Sequence, residues 1–180
     1  KLIPIELNPK YRFPDIDYTA TKVALIDKDD FSKNVKAMIT LRGKEEEFKS
    51  LGIKNDDDLE EHIIRLIKSY MPGDNLEEIF HLIQIWGGSS GRGIYLFGDA
   101  FKWENIAIPY QNLVKACLST TEITKDSIIK LVEVVREFND SVKNINVAFI
   151  TKHTRYWLYR TLAENALPIY DSIMAKYVMR

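Results

Sequence analysis

The run Asn55-Asp56-Asp57-Asp58-Leu59-Glu60-Glu61-His62-Ile63-Ile64-Arg65-Leu66-Ile67-Lys68-Ser69-Tyr70 reads as a helix from either end. Leu59, Ile63, Ile64, Leu66, Ile67 and Tyr70 recur at steps of three and four, which places them along one side of a 3.6-residue repeat. The acidic cluster at its head suits the positive end of a helix dipole, and Pro72-Gly73 stops the helix at its tail. Working outward, Asp74 or Asn75 caps a next helix with Leu76, Ile79, Phe80 and Ile83 as its buried stripe. On the N-terminal side a helix is predicted from about Asp29 to Leu41, capped by Asp29 or Asp30, with Gly43 beyond its end. Pro109 is expected to open a helix running to about Leu118, and Thr124 to cap one carrying Ile128, Ile129, Leu131, Val132, Val135 and Phe138. A helix over about Val147–Thr161 and a last one begun near Asp171 complete the series. The only strand candidates, Lys22–Ile26 and Ile94–Phe97, are short. The expected fold is all-α.

Residues 1–18 hold Pro4, Pro9 and Pro14, each fixing φ and removing an amide donor, so they are expected to form an irregular arm ahead of a helical domain over 19–180. The start, Lys1-Leu2-Ile3-Pro4, shows no signal-peptide pattern, and no apolar run reaches a membrane-spanning length. The single cysteine, Cys117, excludes an internal disulfide framework and lies in an apolar-periodic stretch, which points to a buried thiol in a reducing, intracellular compartment, cytoplasmic (nucleoid) if the chain is prokaryotic. His62, His81 and His153 are too scattered for a dedicated metal site, and no cofactor is expected. Net charge is −1, but its distribution is uneven: residues 1–100 carry 14 Lys/Arg against 18 Asp/Glu, whereas residues 141–180 carry 6 against 2. A basic end of that kind suits phosphate binding through counterion release, although windows this size fluctuate in any protein.

Two residues near the C-terminus have the types needed for covalent chemistry. Lys152 follows Val147-Ala148-Phe149-Ile150-Thr151 near the start of a helix, and Asp171 sits in Pro168-Ile169-Tyr170-Asp171 at the head of the next. An amine with apolar neighbours near a helix N-terminus can become a nucleophile, and a carboxylate can take its proton or stabilise a developing oxocarbenium ion. Spacing alone leaves the commoner outcome open, in which both are helix-end charges. Upstream, Trp86-Gly87-Gly88-Ser89-Ser90-Gly91-Arg92-Gly93 places four glycines in eight residues, a backbone that turns sharply or is closely approached.

The segment Val147-Ala148-Phe149-Ile150-Thr151-Lys152, followed 19 positions later by Asp171 in its Pro-x-x-Asp setting, resembles the helix-hairpin-helix DNA glycosylases, in particular the 8-oxoguanine glycosylase branch. The resemblance covers about 40 positions; it implies a helix-hairpin-helix over about 124–161, Lys152 as nucleophile and β-lyase residue, and Asp171 as its acid–base partner. Phe80 to Ser90 is similar to the family helix that ends in a polar loop inserted into the duplex. That similarity implies Gly87, Gly88, Ser89 and Arg92 at the DNA backbone, with Trp86 or Gln84 filling the stack. Tyr156, one turn beyond Lys152, is expected to stack on an extruded base, and Lys143 and Arg155 to meet phosphates. The family's glycine-rich hairpin is replaced here by Asn146-Val147-Ala148-Phe149.

The function implied is removal of an oxidised or modified base from double-stranded DNA through a lysine Schiff base, with no membrane role and no protein partner specified. The alternative is a catalytically silent helical module that binds DNA or protein on the same scaffold.

Overall fold

The computed structural model describes residues 29–87, 102–142, 147–163 and 166. Among them seven helices and no strand occur: α1 (Lys33–Arg42), α2 (Glu45–Leu51), α3 (Asp56–Ser69), α4 (Leu76–Trp86), α5 (Trp103–Ser119), α6 (Lys125–Ser141) and α7 (Val147–Leu162). The fold is all-α. The arm over 1–18, both strand candidates and the helix near Asp171 lie outside the described residues.

The ends of these helices follow local chemistry. The side chain of Asn55 accepts from the Asp58 amide at 2.8 Å to cap α3, and that of Asn75 accepts from the Glu78 amide at 3.2 Å to cap α4. Thr124 and Ser127 form a reciprocal capping box at the head of α6. α1 begins later than its sequence suggests: Ser32 occupies the cap, while the Asp30 carboxylate is taken up by the Phe31 amide and the Lys36 ammonium. α1 and α2 each end on a glycine in the left-handed region, Gly43 at φ 61° and Gly52 at φ 71°, and the glycine amide and the one after it return to carbonyls of the last turn.

α5 corrects one boundary. Pro109 lies inside the helix, and the helix starts at Trp103. An interior proline forfeits one backbone hydrogen bond, on the order of 3 kcal/mol. Packing on both sides of it offsets the loss: the Trp103 ring centre lies 5.7 Å from that of Phe80 and 5.9 Å from that of Tyr110, and Ile106 and Tyr110 are buried.

α4 is the central helix. Every residue from Ile79 to Ile85 is buried, and it packs against α1, α3, α5 and α7. α7 in turn contacts α3, α4, α5 and α6. α6 buries Leu131 and Phe138 only; Ile128, Ile129 and Val132 are exposed, because its apolar residues span more of its circumference than the described helices cover. Among the described residues, no helix is long and apolar enough to cross a membrane.

Candidate functional site

The C-terminus of α4 meets the second turn of α7. Gly87 follows the last residue of α4, and its carbonyl accepts a hydrogen bond from Lys152 Nζ at 3.2 Å. The ammonium lies 4.4 Å from the centre of the Phe149 ring and 5.8 Å from that of Trp86. A helix C-terminus carries orphan carbonyls and the negative end of the dipole, and aromatic faces attract cations, so three features favour positive charge at this point. Lys152 was expected to feel the positive end of its own helix; the structure adds the opposing end of α4.

Close approach of the two helices requires the glycine. A Cβ built on Gly87 would lie 2.3 Å from Phe149 Cε1. The backbone there is ordinary right-handed helix, φ −61°, so the need is for space and not for an unusual dihedral. One turn before Gly87 on α4, Gln84 faces His153, with Gln84 Nε2 and His153 Nε2 2.8 Å apart. Gln84 therefore pairs with 153 and Gly87 with 149: numbers rise along α4 as they fall along α7, so the helices run antiparallel where they touch.

Tyr156, one turn beyond Lys152, stands edge-on to Trp86 with ring centres 5.2 Å apart. Lys152, Tyr156, Trp86 and Gly87 are thus brought together, joined by Phe149, whose ring sequence reasoning did not assign. The signal for it was the three-residue interval to Lys152, which puts both on one helix face. Tyr156 is only 4% exposed, so in this conformation its ring is a buttress for Trp86 and not an open stacking surface. Trp86, half-buried, is the ring with accessible area. The Tyr156 hydroxyl has no hydrogen-bond partner among the described residues, and burial pushes its pKa above the usual phenol range.

Gln84 is corrected in the same way. Its side chain is fully buried and held against His153, so it faces the core and not the space a displaced nucleotide would leave. Arg155 is half-buried and acts electrostatically on Glu60 of α3, whose pKa burial raises and the guanidinium lowers. Arg160 is spent on structure, donating to the carbonyls of Ile67 at 3.2 Å and Tyr70 at 2.6 Å at the end of α3. Gly88, Ser89, Arg92, Lys143 and Asp171 lie outside the described residues.

Behind the site runs a buried polar chain. Trp157 Nε1 donates to Tyr110 Oη at 2.9 Å, and Tyr110 Oη lies 2.9 Å from His153 Nδ1. An amide nitrogen only donates, so Gln84 Nε2 donates to His153 Nε2, and the proton of the neutral imidazole sits on Nδ1 and is donated to Tyr110 Oη, which accepts from the indole as well. Phe80 stacks on the imidazole at 4.7 Å and 15°. Burial, with Lys152 nearby, drives the His153 pKa down to about 3, so the ring is neutral near pH 7. Cys117 is fully buried in α5 and its thiol is pushed up to about 12 by burial, which removes it as a nucleophile at neutral pH. Among the described residues no group of three or more His, Cys, Asp or Glu is placed to hold a metal ion.

No family model, curated protein or solved structure matches the chain.

Proposed function

We propose that the chain is a helix-hairpin-helix DNA glycosylase with β-lyase activity, acting in a reducing intracellular compartment on an oxidised or modified base in double-stranded DNA. The observation that carries the reading is the setting of Lys152. Its ammonium is held against Phe149 and Trp86 at a two-helix junction instead of extending into water, which fixes where the amine stands once its proton has been removed. α6 and α7 follow one another along the chain, the order that the two helices of such a hairpin would have. In the proposed chemistry the Lys152 ammonium first gives a proton to Asp171. The free amine then attacks C1′ of an extruded nucleotide, the glycosidic bond breaks, and the base leaves with its electron pair. Opening of the sugar yields an imine on Lys152. Loss of a C2′ proton then expels the 3′ phosphate. Trp86, with Tyr156 behind it, supplies the aromatic wall beside the reacting carbon.

One observation favours the second reading, a catalytically silent DNA- or protein-binding module. The bond from Lys152 to the Gly87 carbonyl is also what a lysine that merely caps α4 would make.

Borohydride reduction in the presence of duplexes carrying an abasic site or a panel of damaged bases separates the two. The proposal expects a covalent protein–DNA adduct that Lys152→Gln abolishes while retaining the parent circular dichroism and DNA affinity. An adduct that persists undiminished in Lys152→Gln overturns the assignment of the nucleophile. Salt-dependent duplex binding with no adduct on any substrate establishes the silent module.

A further inference from the structure

We propose that His153 is a positioning residue that, through Gln84, fixes the direction of the Lys152 side chain; the catalytic meaning of this rests on the role proposed for Lys152, but the geometry stands without it. Adjacent residues on a helix are separated by about 100° of rotation, so holding one fixes the direction of the next. His153 is held on three sides: by Gln84 of α4 at 2.8 Å, by Tyr110 of α5 at 2.9 Å, and by the Phe80 ring stacked at 4.7 Å. Phe149, one turn earlier, is held against the bare Cα of Gly87. These two clamps, Phe149 on Gly87 and His153 on Gln84, lie on either side of Lys152 and use the same helix, α4. An imidazole with both nitrogens engaged has one orientation that satisfies them. An apolar side chain of similar size has several, and a core of that kind tolerates small rotations of α7. Such a rotation carries Lys152 Nζ away from the Gly87 carbonyl and the two rings, while the helix remains packed.

The test reads the amine directly. Reductive methylation with ¹³C-formaldehyde places labelled methyl groups on the lysines, and Lys152→Gln identifies the Lys152 signal by its absence. Ring currents from Phe149 and Trp86 are expected to shift that signal away from the cluster of the other lysines. In Gln84→Leu and in His153→Leu the signal should collapse into that cluster, while thermal unfolding stays cooperative. His153→Gln, whose amide can still face Gln84, should restore most of the shift. Should His153→Leu fail to fold, Gln84→Leu alone decides the question, with Gln84→Met in its place if that variant fails as well. An unmoved Lys152 signal in any folded variant that lacks the Gln84–His153 contact overturns the proposal.

Activity is measured separately. If the parent protein forms a borohydride adduct, Gln84→Leu should slow its formation at least tenfold with DNA affinity within twofold of the parent. Slowing of that size with the methyl signal unmoved also overturns the proposal, since the effect would then bypass the amine's position. If the parent forms no adduct, the glycosylase reading fails, and the methyl signal still decides the positioning.

Discussion

At Gly87 a single absent methyl group sets how near two helices come. With Phe149 Cε1 only 2.3 Å from where a Cβ would stand, Gly87→Ala must push the phenyl ring or the end of α4 aside. Helix propensity would favour alanine by nearly 1 kcal/mol, but overpacking costs about 1–3 kcal/mol, and at this distance the steric cost wins. Urea denaturation should show Gly87→Ala destabilised by about 1–2 kcal/mol, and the addition of Phe149→Leu should recover part of the loss. A loss that Phe149→Leu fails to relieve would place the strain elsewhere. The residue scale is also where the sequence was least legible. Gly87 looks like any other glycine in a string of letters, and only the facing Phe149 ring shows that it needs space and not a left-handed turn. Spacing from Lys152 points Tyr156 to an open cleft, and the likeness of Phe80–Ser90 to the family helix and loop points Gln84 there. Spacing gives the face of a helix but not what covers that face, and here Trp86 covers one and His153 the other.

Helices were read well where an end carries its own chemistry. Asn55, Asn75 and Thr124 cap α3, α4 and α6 as their sequence settings suggest, because side-chain capping is a contact within four residues. Asn55→Ala and Thr124→Ala should each cost about 1 kcal/mol in chemical denaturation, with the native circular dichroism unchanged. A cost near zero at Thr124 would mean that the capping box adds nothing beyond the solvated end. α2 went unread although Glu45-Glu46-Glu47 and Gly52 frame it, since one buried residue, Phe48, in seven leaves almost no periodicity to detect. α5 was begun six residues late because proline is a strong local stop. The ring that overrides it by packing on Trp103 and Tyr110 of α5 is Phe80, which belongs to α4, distant in sequence.

The whole molecule responds to acid through its histidines. His81 and His153 are both pushed down to about 3, chiefly by burial, with Arg42 and Lys44 adding to the effect at His81. His81 Nε2 lies 3.5 Å from Glu77 Oε1, but burial and the two cations outweigh that half-exposed carboxylate, so the contact is not an ion pair near neutral pH. In the unfolded chain both rings take up protons below about pH 6.5, and in the folded chain they do not, so stability is full above that pH and falls as pH drops toward 3. Between pH 7 and pH 5 the loss should be on the order of 2 kcal/mol for each ring. Glu60, raised by burial, gives back a small part near its own titration. Denaturation midpoints at the two pH values check this, and His153→Gln should halve the difference. The fold class was legible in full at this scale, because it needs only the repeat length of apolar residues. The candidate site was legible in part: Lys152, Trp86 and Gly87 do converge, through two helices more than sixty residues apart, whereas Asp171 lies beyond the described residues.

Lys152 and Arg160 stand two turns apart on α7, one reaching the Gly87 carbonyl just past α4 and the other the carbonyls of Ile67 and Tyr70 at the end of α3. One helix therefore closes the tails of two others with its own cations, as a clasp closes two cords. Neither tail can unravel inward while α7 stays seated, and once α7 lifts away both lose their seal together. That coupling gives the molecule an all-or-none hold on its centre, in which the amine proposed for chemistry is also part of the fastening.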